Sequence, residues 1–160
     1  MTIQVGDKIP EATLMHMTAD GPAPMTTSEL FGGKKVVFFS VPGAYTPTCS
    51  AKHLPGFVEK ADEIKAKGVD TIACMSVNDV FVMDAWGKDQ SAGDKVTMLA
   101  DGNGDFASAL GLELDLKSFG MGPRAQRFSL IAEDGVVTAL NIEEGGAFDV
   151  SSAEHALSQL

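Results

Sequence analysis

Lys35-Val36-Val37-Phe38-Phe39-Ser40-Val41, running directly into Pro42-Gly43-Ala44-Tyr45-Thr46-Pro47-Thr48-Cys49-Ser50, is the stretch on which the fold turns. Its first half is a β-branched and aromatic run of the kind that fills the centre of a buried sheet. Its second half is a loop stiffened by Pro42 and Pro47 that delivers Cys49 to the start of an amphipathic helix. A helix start offers unpaired N–H donors and a positive dipole end. Both favour a thiolate and lower a cysteine pKa from its free value of about 8.5. Cys49 is therefore the candidate nucleophile, held on a stiff support.

Beyond Cys49, the residues Leu54, Phe57, Val58, Ala61 and Ile64 recur at three- and four-residue steps, which predicts one apolar helix face, with Gly68 as the C-terminal cap. Pro55 falls inside that helix and predicts a kink or a restart. Val69 to Val77 and Val96 to Ala100 read as two further buried strands. Between them Asn78-Asp79 looks like an N-cap for a helix from Val80 through Trp86, ended by Gly87. Strands alternating with helices predict parallel pairing through right-handed crossovers.

Gly102-Asn103-Gly104-Asp105 reads as a turn and cap before a short helix, Phe106 to Leu110. Arg127 to Ala132 and Val136 to Ile142 form an expected hairpin around Glu133-Asp134-Gly135, and a last helix from Ser151 to Leu160 starts on Ser151 or Ser152. Asp20-Gly21-Pro22-Ala23-Pro24 reads as a loop between N-terminal elements. Phe39, Phe57, Phe81, Trp86 and the eight methionines read as core and gap-filling residues.

The length of 160 residues and the 44% hydrophobic content fit one domain, residues 1–160. A net charge of −10 argues against a nucleic-acid or anionic-membrane surface, either of which would need clustered Lys and Arg. No apolar run approaches the roughly 20 residues of a membrane span, and the first residues lack a signal-peptide pattern, so a soluble, cytoplasmic protein is expected. Cys49 and Cys74 have neither C-x-x-C spacing nor a second pair for zinc, and His16, His53 and His155 stand at no ligand spacing. The glycines form no nucleotide-binding fingerprint.

A thiolate that attacks a peroxide needs an approach path, donors aimed at the peroxide oxygens and a permanent cation nearby. Thr46, three residues before Cys49, can turn its hydroxyl toward the sulfur or a bound oxygen. Arginine suits the cation, because its charge does not titrate away and its planar fork donates to two atoms together.

Pro42-x-x-x-Thr46-x-x-Cys49 resembles the active-site signature of peroxiredoxins. With His53-Leu54-Pro55-Gly56-Phe57, Cys74-Met75-Ser76-Val77-Asn78-Asp79 and Arg124-Ala125-Gln126-Arg127-Phe128-Ser129, the chain is similar to the type II, or peroxiredoxin-5, branch over nearly its whole length. The resemblance implies an α/β, thioredoxin-like fold, with a central mixed sheet flanked by helices and an N-terminal extension. It also implies reduction of hydrogen peroxide and alkyl hydroperoxides without a cofactor. By the same resemblance Cys49 is the peroxidatic nucleophile, Thr46 hydrogen-bonds the peroxide, Pro42 shields the sulfur and Arg124 is the active-site arginine. Arg127 competes for that last role, and spacing does not choose between them. Read for itself, Arg127 is a partly exposed strand residue or a member of a supporting ion pair; His53, one helical turn after Cys49, could form a Cys–His pair, but the mechanism needs no such base and a polar face or a dimer contact is the preferred reading.

Some members of this branch carry a resolving cysteine near the C-terminus, whereas here Gly145 to Ser152 contain none. Cys74 lies in an expected buried strand, where cysteines behave as small inert hydrophobes. A one-cysteine cycle is therefore expected, in which Cys49 becomes a sulfenic acid and an external thiol restores it: glutathione, directly or through glutaredoxin, or else thioredoxin. Apolar residues near Tyr45 and Phe81 suggest a homodimer face. A thioredoxin-like disulfide oxidoreductase and a peroxide sensor that exposes an interaction surface on oxidation are the competing functions.

Overall fold

Strand β3 (Lys35–Ser40) lies within a seven-stranded sheet and is buried at every position after Lys35. The computed structural model describes residues 2–160, and of Cys49 the backbone alone. The other strands of this sheet are β1 (Thr13–Thr18), β2 (Gly21–Thr26), β4 (Thr71–Ser76), β5 (Thr97–Ala100), β8 (Phe128–Glu133) and β9 (Val136–Ile142). Their order is β2-β1-β5-β4-β3-β8-β9. β3, β4 and β5 pair in parallel, and the remaining pairings are antiparallel. Helices α2 (Leu54–Ala66) and α3 (Val80–Asp89) make the two parallel crossovers. This is the mixed-sheet, thioredoxin-like arrangement that the resemblance implied.

Alternation along β3 explains its unbroken apolar run. Val37 and Phe39 point to a core closed by Leu54, Phe57 and Ile64 of α2, Trp86 of α3 and Ala153 of α5 (Ala153–Ser158). Val36 and Phe38 point to a second core with Phe31 of α1 (Thr27–Phe31) and Phe106 of α4 (Asp105–Leu110). With a core on each face, the strand is apolar from Val36 to Phe39, and its last residue, Ser40, is buried with them. Phe39 stacks on Phe57 at 4.0 Å between ring centroids, and Phe38 meets Phe106 edge-on at 5.7 Å. Burying each of these rings contributes about 1.5–3 kcal/mol.

The β8–β9 hairpin closes on Asp134 and Gly135, both with positive φ, as an Asp-Gly turn requires. Helix α5 starts on Ser152, whose side chain accepts from the His155 N–H, and α3 starts on Asp79, whose side chain accepts from the Val82 N–H.

Three expectations need correction, and one element was not foreseen. Gly87 does not end α3, which continues to Asp89. The glycine is there for contact, since a Cβ on it would lie 2.7 Å from Met98 Cγ on β5. Residues 21–24 are not a loop but part of β2, where Pro22 and Pro24 pair with Met17 and Met15. Two prolines are tolerated because β2 is the sheet edge and their missing donors fall on the unpaired side. Phe81 is 64% exposed, because α3 buries the stripe Val80, Met83, Trp86 and Gly87 and leaves Phe81 outside it. The sequence also gave no sign of the small antiparallel sheet of β6 (Glu113–Leu116) and β7 (Gly122–Ala125), the strand that carries Arg124.

Candidate active site

The residues after β3 are fastened at successive points. Val41 N–H donates to Met75 O at 3.0 Å, Ala44 N–H to Asn78 Oδ1 at 2.9 Å, and Thr46 Oγ1 to Gly43 O at 2.8 Å. Asn78 Oδ1 also accepts from Ser76 Oγ. Tyr45 sits between these ties with φ at 65°, a left-handed conformation that is unfavourable for a side chain of its size. It is held by its hydroxyl, which donates to Asp89 Oδ2 at 2.7 Å, and by its ring, 6.4 Å from that of Trp86. The bond to the Asp89 carboxylate raises the Tyr45 pKa above its ordinary value.

Helical backbone begins at Pro47, whose absent N–H costs nothing at a first helical position. It passes through a π-helical segment, Cys49–His53, before α2 takes over at Leu54. The register change lies directly ahead of Pro55 and supplies the expected restart, because the wider π turn accommodates a residue that cannot donate. Cys49 thus opens the π segment by its backbone, while its side chain lies outside the described residues. Trp86 Nε1–H donates to Ser50 Oγ at 3.0 Å and ties this segment to α3.

Beside the segment is a cleft of about 320 Å³, lined by Pro42, Thr46, Thr48, Gln126, Arg127 and Glu143 among others. Pro42 and Thr46 both line this cleft. The arginine in the cleft is Arg127. Arg124 lines a different cleft with Val77, Gly104 and Glu113. Its Nε donates to Met121 O at 2.9 Å and its Nη1 to Val77 O at 3.2 Å. Arg124 packs beneath Gly43, where a Cβ would come within 3.2 Å of both Arg124 Nη1 and Thr46 Cγ2.

Arg127 lies just ahead of β8, and its carbonyl accepts from the Glu143 N–H at 3.0 Å, continuing the β8–β9 ladder by one pair. Its Nη1 donates to His53 Nδ1 at 2.8 Å, and its guanidinium carbon lies 6.0 Å from the centroid of the Phe148 ring. His53 is fully buried beside the rings of Phe39, Phe57 and Phe148, contrary to the surface or interface place expected for it. Burial, and then the Arg127 charge, push its pKa down to about 3 against the opposing pull of the Ser151 carbonyl and Glu143. Neutral His53 donates through Nε2 to Ser151 O at 2.9 Å, which leaves the Nδ1 lone pair for Arg127.

Glu143 anchors the next layer. Its Oε2 accepts from Ser151 Oγ at 2.6 Å, Ser151 N–H at 2.9 Å and Asp149 N–H at 2.7 Å. Burial alone would raise the Glu143 pKa, but these donors outweigh it and hold the carboxyl below its ordinary range. Asn78, Glu143 and Ser151 join this arrangement without having been read from the sequence as parts of it, and His53 was set aside there as a surface or interface residue. For His53 a signal existed, since it follows Cys49 by one helical turn. Glu143 and Ser151 reach the site only through tertiary packing, so no local pattern marks them.

The Redoxin family model matches residues 4–157 of the chain. The chain is 55% identical over 164 residues to the chloroplastic peroxiredoxin-2E of Arabidopsis thaliana, covering 99% of this chain and 70% of that protein. It is 52% identical to peroxiredoxin-2B of the same plant, covering 99% of this chain and 98% of the relative. Among solved structures, reduced Prx3 from Vibrio vulnificus in complex with H2O2 superposes with a TM-score of 0.96 at 52% identity, with 99% of each chain covered.

Proposed function

Because the chain belongs to the peroxiredoxins, in their type II branch, we propose that its reaction runs through Cys49 at the cleft lined by Pro42, Thr46, Thr48 and Arg127. As a member of that family the protein is a thiol peroxidase, with a peroxide as substrate and a thiol as reductant. The observation that carries the assignment of residues is the cleft itself, which gathers Pro42, Thr46 and a guanidinium beside the segment that Cys49 opens.

The Cys49 thiolate attacks the terminal oxygen of a hydroperoxide. The S–O bond forms as the O–O bond breaks, sulfur loses two electrons, and the attacked oxygen keeps its hydrogen as a sulfenic acid. The leaving alkoxide or hydroxide takes up a proton and departs as alcohol or water. The Thr46 hydroxyl already donates to Gly43 O, so its lone pairs are left to accept the peroxide O–H. Arg127 supplies the permanent charge, donating to the oxygen on which negative charge develops. Pro42 covers the cleft wall and excludes water. Arg127 thereby takes the role that the sequence resemblance gave to Arg124, and Arg124 supports the loop from beneath Gly43.

The cycle uses one cysteine. Its support is the position of Cys74, which has no exposed surface and is flanked in the sheet by Phe39 and Met98. An external thiol condenses with the sulfenic acid, releasing water and leaving a mixed disulfide. A second thiol then reduces that disulfide and regenerates Cys49. Glutathione, acting directly or through glutaredoxin, fits this scheme, and thioredoxin is the other reductant to compare. The chain acts as a single domain and pairs as a homodimer through the exposed Tyr45 and Phe81, 50% and 64% accessible. Its compartment is the cytoplasm; no helix among the described residues is long and apolar enough to cross a membrane.

Rapid mixing of wild type, Cys49→Ser, Thr46→Val, Arg127→Ala and Arg124→Ala with hydroperoxide tests the residue roles. Cys49→Ser should be inert, and Arg127→Ala should be slower than Arg124→Ala. Turnover of Cys74→Ser with glutathione and glutaredoxin should persist; its abolition would make Cys74 the resolving residue. Sedimentation as a strict monomer at working concentration would reject the dimer.

A further inference from the structure

The geometry points to His53 as a positioning residue for the peroxidase reaction, with its Nδ1 lone pair fixing the direction in which Arg127 presents its guanidinium to the cleft. The inference rests on the reading of Arg127 as the working cation and goes one layer behind it. An arginine has five N–H donors and a long, flexible stem, so its charge alone does not fix where its fork points. A neutral imidazole at 2.8 Å from Nη1 engages one donor in a fixed place and so sets the direction of the whole planar fork.

Three features suit His53 to that task. The ring cannot rotate freely, because Phe39, Phe57 and Phe148 pack around it at centroid distances of 4.7, 5.7 and 5.0 Å. Its tautomer is set by Ser151, whose carbonyl accepts from Nε2–H and so keeps the lone pair on Nδ1. Ser151 is in turn held by Glu143 through both its backbone N–H and its hydroxyl. The chain Glu143, Ser151, His53, Arg127 therefore runs from a buried carboxylate to the guanidinium without a gap. The depressed pKa of His53 keeps it an acceptor across the whole neutral range.

The test compares His53→Asn, whose Oδ1 replaces the acceptor near Nδ1, with His53→Gln, whose Oε1 falls near Nε2, and with His53→Leu, which has no acceptor. Readouts are the rate constant for hydroperoxide reduction, the pH at which the Cys49 thiol ionises, and the same measurements in an Arg127→Ala background. Positioning through Arg127 gives a roughly tenfold slower reaction and a higher thiol pKa for His53→Leu and His53→Gln, substantial recovery for His53→Asn, and no further effect of any of them once Arg127 is alanine. If His53→Leu does not fold, the Asn and Gln pair decides alone. Equal rates for Asn and Gln, or an undiminished effect in the Arg127→Ala background, overturn the role of His53. A native rate in Arg127→Ala itself would instead overturn the reading on which it stands.

Discussion

Asn78 Oδ1 lies 2.9 Å from the Ala44 nitrogen, so a residue at the exit of β4 fixes the loop between β3 and Cys49. The two positions are 34 residues apart in the chain and meet because β3 and β4 are parallel neighbours that end at the same side of the sheet. Replacing Asn78 with alanine strands the Ala44 N–H and leaves Ser76 Oγ with Met83 Sδ as its acceptor. Asn78→Ala is expected to cost about 1–3 kcal/mol in urea unfolding and to slow peroxide reduction as Thr46 loses its fixed setting. Unchanged stability and rate would mean that the loop holds its shape without this tie.

Gly87 against Met98 is a packing relationship that a mutation can read. A Cβ at residue 87 would meet Met98 Cγ at 2.7 Å, and Met98 lies on β5, an inner strand between β1 and β4. Gly87→Ala should destabilise the fold by about 1–3 kcal/mol despite improving helix propensity, and Gly87→Ala with Met98→Ala should recover part of the loss. Thermal melts of the two variants make the comparison.

Trp86 is the chain's one tryptophan, and its indole N–H is bonded to Ser50, the residue after Cys49. Its emission should therefore change when Cys49 is oxidised. Adding hydroperoxide to wild type should give a fluorescence transient with the rate of sulfenic acid formation, absent in Cys49→Ser. A transient that survives in Cys49→Ser would detach Trp86 from the reaction.

His53 sets an acid limit on stability. Its folded pKa of about 3 lies below the ordinary 6.5, so between these values the unfolded chain binds a proton that the folded chain refuses. Stability then rises with pH across that window and falls on acidification, by up to about 1.4 kcal/mol per pH unit from this one group. Glu143, with its carboxyl held below the ordinary 4.5, adds to the loss only at the acid end. Urea midpoints of wild type and His53→Asn from pH 7 to about pH 4.5 should converge in slope above 6.5 and diverge below it. Parallel curves throughout would show that His53 takes up its proton in the folded state.

The parts of this molecule that could be read from sequence are those governed by local patterns. β3 is legible because both of its faces are buried, the β8–β9 hairpin because Asp134-Gly135 admits one kind of turn, and α3's start because Asp79 caps it. Pro42 and Thr46 share a short, proline-stiffened loop with Cys49, and both line the cleft beside the π segment. The choice between Arg124 and Arg127 was not legible. The two are three residues apart, and a strand end followed by a change of sheet sends one under Gly43 and the other to His53. Gly87 was misread for a related reason, since a glycine that ends a helix and one that lets a strand approach look alike until the strand is present.

The most direct test is the ionisation of Cys49 itself, followed by thiolate absorbance in a Cys74→Ser background, for otherwise wild-type protein and for Arg127→Ala and Arg124→Ala. The Cys49 thiol should ionise below neutrality with both arginines present and with Arg124 removed. Loss of Arg127 should raise its pKa and lower the rate of peroxide reduction about a hundredfold. A thiol that stays protonated past neutrality in the parent, or an Arg127→Ala titration and rate indistinguishable from it, would contradict the proposed chemistry.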